Sequence, residues 1–280
     1  MILIADSGST KTSWIAIDNS GKHLFETKTE GLNPAVFANE IITNRIVTNE
    51  LLFTNKKKIT NIYFYGAGCG TKTPKNNLIS IFEGVFTNSK ITINEDTKAA
   101  IYSVTTKSAI VCILGTGSNC SYFDGKNVHQ KITSLGYSIM DEASGNYFGR
   151  ELIRDYYYHK MPTEFASNFA KNHNLDADSI KENLYKKENP NTYLASFSHY
   201  LVNHKTEKYA QQLIYKGLKL FVKNHILQYK ESSELPIHFV GSLAYFLKDE
   251  IKIVLKEYNL KIGKFERKPI NGLVKYHLNN

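Results

Sequence analysis

Residues 2–17 read ILIADSGSTKTSWIAI: a short apolar strand from Ile2 to Ala5, a small-residue turn from Asp6 to Lys11, and a second strand from Thr12 to Ile17. The pattern restarts at residues 109–123, AIVCILGTGSNCSYF. There the strand Ala109–Leu114 meets the turn Gly115-Thr116-Gly117-Ser118, and Asn119–Phe123 returns as a strand. Two hairpins with glycine-bearing tips predict a duplicated domain.

Working outward from the first hairpin, Asn19-Ser20-Gly21-Lys22 is a turn signal and His23–Thr29 alternates as a third strand. Helix is expected over residues 38–52, strand over Asn61–Tyr65, helix over Lys75–Val85, strand over Lys90–Asn94 and helix over Thr97–Val104. The order is βββαβαβα, an α/β pattern with a mixed sheet. From the second hairpin, Asp124-Gly125-Lys126 turns into a further strand, and residues 145–229 read as a helical insertion. Strand Ile237–Val240, helix Leu243–Tyr258 and strand Leu260–Phe265 complete the second copy. Residues 1–105 are expected to form one domain and 106–268 the other, with a C-terminal helix in 269–280 packing back on the first.

The chain has 280 residues, and at about 150 residues per domain two domains fit it. With 42% hydrophobic and 22% charged residues, 17 Gly and 6 Pro, the composition excludes a disordered or collagen-like chain. The run Ala109–Leu114 falls far short of the roughly 20 apolar residues of a membrane span, and no basic stretch precedes an apolar one at the N-terminus, so a cytoplasmic protein without a membrane partner is expected. Cys69, Cys112 and Cys120 are too few and too scattered for a disulfide framework or paired zinc ligands, which fits a reduced compartment. The net charge of +9 raises the question of nucleic acid, but the cations are spread along the chain and Lys56-Lys57-Lys58 is the one tight run; no nucleic-acid partner is expected.

Four segments carry candidate chemistry. At Asp6 to Thr12, Gly8 and the hydroxyls of Ser9 and Thr10 let backbone N–H groups approach an anion, with Lys11 as a point charge; a plain β-turn explains the same residues. Gly115-Thr116-Gly117-Ser118-Asn119 has the same character, and two such tips facing each other would clamp a polyphosphate, with Asp6 holding Mg2+ through water. In Asn94-Glu95-Asp96-Thr97, Asp96 is either a helix cap or a carboxylate at the carboxyl end of the sheet that takes a proton from a substrate hydroxyl. Ser134 to Gly145 is dense in Gly, Ser and acid just before a helix, which suits a hydroxyl-rich ligand and suits a helix N-terminus equally.

Together with Gly241-Ser242, these segments resemble the N-acetylglucosamine kinase group of the BadF/BadG/BcrA/BcrD ATPase family, within the actin, sugar kinase and Hsp70-like ATPases. The resemblance spans the whole chain and implies two ribonuclease H-like domains closing on ATP and a sugar. It implies ATP contacts from Asp6, Gly8, Ser9, Thr10, Lys11, Gly115, Thr116, Gly117, Gly241 and Ser242, with Mg2+ as cofactor. It implies an amino-sugar pocket of Asn33 (from Gly31-Leu32-Asn33), Asp96, Ser118, Asn119, Leu135, Gly136 and Asp141. Asp96 matches the base that deprotonates the sugar 6-hydroxyl, making in-line transfer of the γ-phosphoryl group to N-acetylglucosamine the expected reaction. Similar kinases are often dimers, and Tyr156-Tyr157-Tyr158 is one candidate surface for a homodimer.

The group's usual Gly-Asp-Glu-Gly-Ser-Gly reads Met140-Asp141-Glu142-Ala143-Ser144-Gly145 here. Two larger residues beside the proposed sugar ligand put the sugar's identity in question more than the phosphoryl transfer. An N-acetylmuramic acid kinase would need a cation for the lactyl carboxylate, for which Lys72, Lys75 and Arg150 are available; glucosamine is a third substrate. An ATP-hydrolysing activator of the same family would need clustered cysteines for an iron–sulfur centre, which the sequence does not show. A sugar-sensing regulator would carry an added helix-turn-helix, for which a chain starting at strand one leaves no room.

Overall fold

The apolar run at the start forms β1 (Ile2–Ser7), antiparallel to β2 (Lys11–Ile17), which pairs with β3 (His23–Glu30). On its other side β1 is parallel to β4 (Asn61–Gly66), and β4 to β5 (Lys90–Glu95). The resulting order is β3-β2-β1-β4-β5. Leu3 and Ala5 face one core with Trp14, Phe64 and Phe82, while Ile4 faces another with Ile15 and Tyr65. A strand buried on both faces reads as an unbroken apolar run rather than an alternation, which is why β1 is so plain in the sequence.

The computed structural model describes residues 1–8 and 11–279 and divides them into two compact units, Met1–Thr106 with Lys268–Asn280, and Lys107–Arg267. In the first unit the helix expected over 38–52 is two helices, α1 (Asn39–Val47) and α2 (Glu50–Asn55). Asn49 makes the break: it is extended, its Oδ1 accepts from Leu52 N at 3.2 Å, and its Nδ2 donates to Thr27 Oγ1 at 2.9 Å. Next come α3 (Lys72–Val85) and α4 (Asp96–Val104). α3 starts three residues before the expected Lys75, because Pro74 sits in the first turn, where no intrahelical N–H is lost.

The second unit repeats the plan. β6 (Ala109–Leu114), β7 (Ser118–Phe123), β8 (Val128–His129), β9 (Ile237–Val240) and β10 (Ile262–Glu266) lie in the order β10-β9-β6-β7-β8, with β6/β7 and β7/β8 antiparallel and β6/β9 and β9/β10 parallel. Strand for strand this is the topology of the first sheet, so the chain is a duplicated α/β protein with two mixed sheets. The insertion holds α5 (Gly145–Tyr157), α6 (Thr163–Asn172), α7 (Ala177–Tyr185), α8 (Pro190–Asn203) and α9 (Lys208–Asn224). Its Phe148, Phe169, Phe197 and Phe221 share one core with Phe239 of β9.

The expected helix 243–258 is also divided, into α10 (Ser242–Phe246) and α11 (Lys248–Glu257), at the fully buried Leu247. β10 begins two residues after the expected Leu260, because Asn259 is left-handed (φ 55°) and Leu260 N still donates to Leu255 O at 3.0 Å, closing α11. Finally α12 (Pro269–Asn279) returns to the first unit, where Ile270 and Leu273 join the core beside Ile4 and Ala99 of α4. Among the described residues no helix is long and apolar enough to cross a membrane.

Candidate functional site

In the first unit the carboxyl ends of β1, β4 and β5 gather the polar residues. Asp6, half-buried, lies opposite Ser13 of β2 and Tyr65 of β4. Its carboxyl is pushed up to about 7, first by burial and then by the charge of Asp96, with Lys11 opposing. Asp96 is the first residue of α4, whose cap is Glu95, so it is not the helix cap that the bland reading of this segment offered. Burial holds its carboxyl above the usual range, aided by the Glu95 charge and opposed by the backbone N–H groups of Thr97 and Asp96.

Ser7 ties this edge together: its Oγ lies 2.7 Å from Thr12 Oγ1 and accepts from Leu32 N at 3.2 Å, while its carbonyl accepts from Ala67 N at 3.1 Å. That positions Gly31-Leu32-Asn33 against the loop after β4. Asn33 Oδ1 accepts from Ala35 N at 2.9 Å, which fixes the plane of the side-chain amide. Gly68 is left-handed (φ 78°), and a Cβ there would collide with Asn33 Oδ1, so the loop must be glycine for Asn33 to sit where it does. Gly8 N donates to Lys11 O at 3.0 Å. Ser9 and Thr10 lie outside the described residues.

In the second unit Gly115 N donates to Gly117 O at 3.0 Å, closing the turn between β6 and β7. The carbonyls of Gly115 and Thr116 accept from Gly145 N (2.8 Å) and Asn146 N (3.0 Å), the first residues of α5. The tip is thereby bonded to a helix N-terminus whose N–H groups would otherwise be orphaned. Gly241 has φ 118°, and a Cβ there would strike Leu114 O, so Gly241 and Ser242 lie against the base of the same tip. A cavity of about 70 Å3 is lined by Gly115, Thr116, Gly145 and Ser242 and by six residues the sequence reading missed: Ala195, Ser198, His199 and Val202 of α8, and Leu243 and Phe246 of α10. Nothing in the sequence ties α8 to the tip; the contact exists only once the insertion folds back. A groove of about 660 Å3 between β3 and α1, lined by Lys28, Glu30, Asn44 and Arg45 among others, contains none of the expected site residues.

Between Gln130 and Ser144 runs the loop that carries Leu135, Gly136 and Asp141. Leu135 is 60% exposed and Gly136 is left-handed with open space around it. Asp141 is buried; its Oδ1 accepts from Ser118 N (3.3 Å) and its Oδ2 from Asn146 Nδ2 (2.9 Å). Ser118 and Asp141 are thus neighbours, while Asn119 Oδ1 accepts from Gln130 Nε2 at 3.3 Å. Ser118 Oγ is a buried polar atom with no partner among the described residues. Of the two departures from the glycine pattern, Ala143 is left-handed (φ 58°) with its methyl fully buried, whereas Met140 is not left-handed and its Sδ accepts from Leu135 N at 3.3 Å. Arg150 Nη1 donates to the carbonyls of Tyr137 (2.6 Å) and Ser138 (3.5 Å), so it braces the loop.

Cys112 and Cys120 face each other across β6 and β7 with Sγ atoms 3.6 Å apart, both buried, and burial holds the Cys112 thiol far up. Cys69 is buried in the other unit, its thiol pushed up to about 12 by burial and by Asp96. No group of three metal-ligating side chains occurs among the described residues.

Two topologically identical units, each with a glycine-bearing hairpin, and carboxylates at the strand ends of the first define the actin-like sugar-kinase fold. No protein-family model and no curated protein matches the chain. Among solved structures it is similar to a Porphyromonas gingivalis protein provisionally named an N-acetylglucosamine kinase, at 33% identity over 100% of this chain and 99% of that one, with a TM-score of 0.94. A Chromobacterium violaceum protein with the same provisional name is 14% identical over 98% of each chain (TM-score 0.72). A Streptomyces griseus ROK-family glucokinase, solved with glucose and AMPPNP, shares the fold at 12% identity over 98% of this chain and 97% of that one (TM-score 0.64). The chain belongs to the sugar-kinase family of the P. gingivalis protein.

Proposed function

We propose that the protein transfers the γ-phosphoryl group of ATP to the 6-hydroxyl of N-acetylglucosamine. The observation that carries the reading is Asp96: a carboxylate just past the carboxyl end of β5, close enough to Asp6 for the two charges to interact, whose burial raises its proton affinity toward that useful to a general base. In this reading Asp96 orients the 6-hydroxyl and takes its proton as the oxygen attacks. Asn33 and Asp141 hold the sugar, with Ser118, Asn119, Leu135 and Gly136. The buried, unpartnered Ser118 hydroxyl is a natural donor to a sugar oxygen.

The tip carbonyls of Gly115 and Thr116 are spent on α5, so the N–H groups of Thr116 and Gly117 are what the phosphates would meet. Gly8, Ser9, Thr10 and Lys11 are assigned to the phosphates as well, and Gly241 and Ser242 to the adenosine. Asp6 fits a magnesium ion, since a carboxyl pushed up to about 7 by burial and a like charge gains from a cation. Mg2+ characteristically takes one or two carboxylates and completes its shell with water and phosphate oxygens. Once bound, the ion neutralises charge on the phosphates.

The same reading carries membership of the BadF/BadG/BcrA/BcrD group and a cytoplasmic setting. N-acetylmuramic acid and glucosamine remain in the test as competing substrates. The activator alternative loses support from the cysteines, all three of which are buried in the core. ADP release with ATP and Mg2+ is measured against N-acetylglucosamine, N-acetylmuramic acid, glucosamine and glucose. N-acetylglucosamine should give the highest kcat/KM, and Asp96→Asn should lower kcat by at least about 100-fold. ADP release that no sugar stimulates, or that survives in the variant, would overturn the assignment.

A further inference from the structure

The segment Asp141-Glu142-Ala143 is held in an unusual way. Asp141 and Ala143 are both left-handed, at φ 71° and 58°, a conformation that each non-glycine residue adopts at a cost and that persists only where its surroundings enforce it. Asp141 points inward to Ser118 N and Asn146 Nδ2. Glu142, between the two, points the opposite way in sequence terms, to the far end of the insertion. Its Oε1 accepts from Asn224 Nδ2 at 2.8 Å, and its Oε2 lies 3.0 Å from His225 Nε2.

His225 is itself fixed. It is the residue that ends α9, it is 5% exposed, and its ring stacks on Phe221 with centroids 4.8 Å apart and planes at 22°. The Nε2–H bond to a carboxylate is available to the imidazolium and to one neutral tautomer alike, so it does not depend on the ring being charged. The His225 bond is also the first cause holding the Glu142 carboxyl down at about 2, which means the contact is made by the ionised carboxylate.

We propose that His225 and Asn224 are positioning residues for the sugar: through Glu142 they lock the Asp141 loop, and so set sugar affinity without touching the reacting atoms. This rests on the reading of Asp141 as a sugar contact. It gives the insertion a task in specificity, because the end of α9 reaches the loop where the glycines of the usual pattern are absent.

The test compares wild type, His225→Ala and His225→Gln by steady-state kinetics and by hydrogen exchange over residues 131–143. His225→Ala should raise the KM for sugar about 10-fold, as loss of a hydrogen bond to a charged group implies, with kcat and the KM for ATP within about 3-fold of wild type. His225→Gln, which keeps an N–H donor, should recover most of that loss. Amide exchange in the loop should quicken about 10-fold in the Ala variant and return toward wild type in the Gln variant. An unmoved sugar KM, a fall in kcat with KM unchanged, or unaltered exchange in the loop overturns the proposal. If the wild-type protein shows no sugar-stimulated ADP release, the kinase reading fails, and the exchange data alone then decide whether the lock exists.

Discussion

A carboxylate with a raised pKa is a stability statement as well as a functional one. Asp6 has an ordinary value of 3.8 and is pushed up to about 7 in the folded chain, so between those values the folded state binds more protons than the unfolded one. The stability this group contributes is therefore fully present below pH 4 and is lost as pH rises through 7; Asp96, raised for the same reason, steepens the slope. Asp6→Asn removes the burden of a buried charge. In thermal melts without Mg2+ or nucleotide, the variant should equal wild type only below about pH 4 and exceed it at pH 8 by roughly 1–3 kcal/mol, while losing turnover. Parallel melting curves across that range would show that Asp6 is not held at an elevated pKa. The residue proposed for the metal is thus one the fold itself would do better without.

At the scale of elements, α12 shows how the C-terminus supports the site. It packs on β1 and on α4, the helix that begins with Asp96. His277 stacks on Tyr63 at 3.8 Å and its Nε2 lies 2.9 Å from Tyr65 Oη, while Tyr276 stacks on Tyr102 of α4 at 4.4 Å. Burial lowers the His277 imidazole from 6.5 to about 4, so the unfolded chain takes a proton that the folded one resists, and stability is lost as pH falls from 6.5 toward 4. His277→Gln should flatten that acid limb by roughly 1–3 kcal/mol, and should cost about 1 kcal/mol at pH 8 through the lost ring contact. His238 in the second unit, lowered to about 4 chiefly by burial, is untouched by the change and serves as the internal reference. An acid limb identical to wild type would mean that α12 is not docked through a neutral His277. The breaks at Asn49 and Leu247 were not legible in the sequence, since one needs a side chain from β3 to reveal the cap and the other keeps a continuous apolar pattern through a buried turn.

For the whole molecule, legibility follows sequence distance. The hairpins at residues 2–17 and 109–123 disclosed the duplication because each is a local signal, and the two sheets repeat it strand for strand. The residues that line the cavity beside the second tip from α8, and His225 at the end of α9, are brought in by folding and have no local signature. Arg150 is a similar case: the sequence offers it as one of three available cations, and only the fold shows its Nη1 donating to the carbonyls of Tyr137 and Ser138. Substrate choice is therefore best read from the whole folded chain, by linkage. A ligand that binds the folded state stabilises it by RT ln(1 + [L]/Kd), about 2.7 kcal/mol at 100 times Kd, which for units of this size is roughly 5–10 °C in Tm. With ADP and Mg2+ present, N-acetylglucosamine should give such a shift and glucose little, and His225→Ala should need about 10-fold more sugar for the same shift. A melt that responds to nucleotide and to no amino sugar would leave the fold as described and remove the sugar from it.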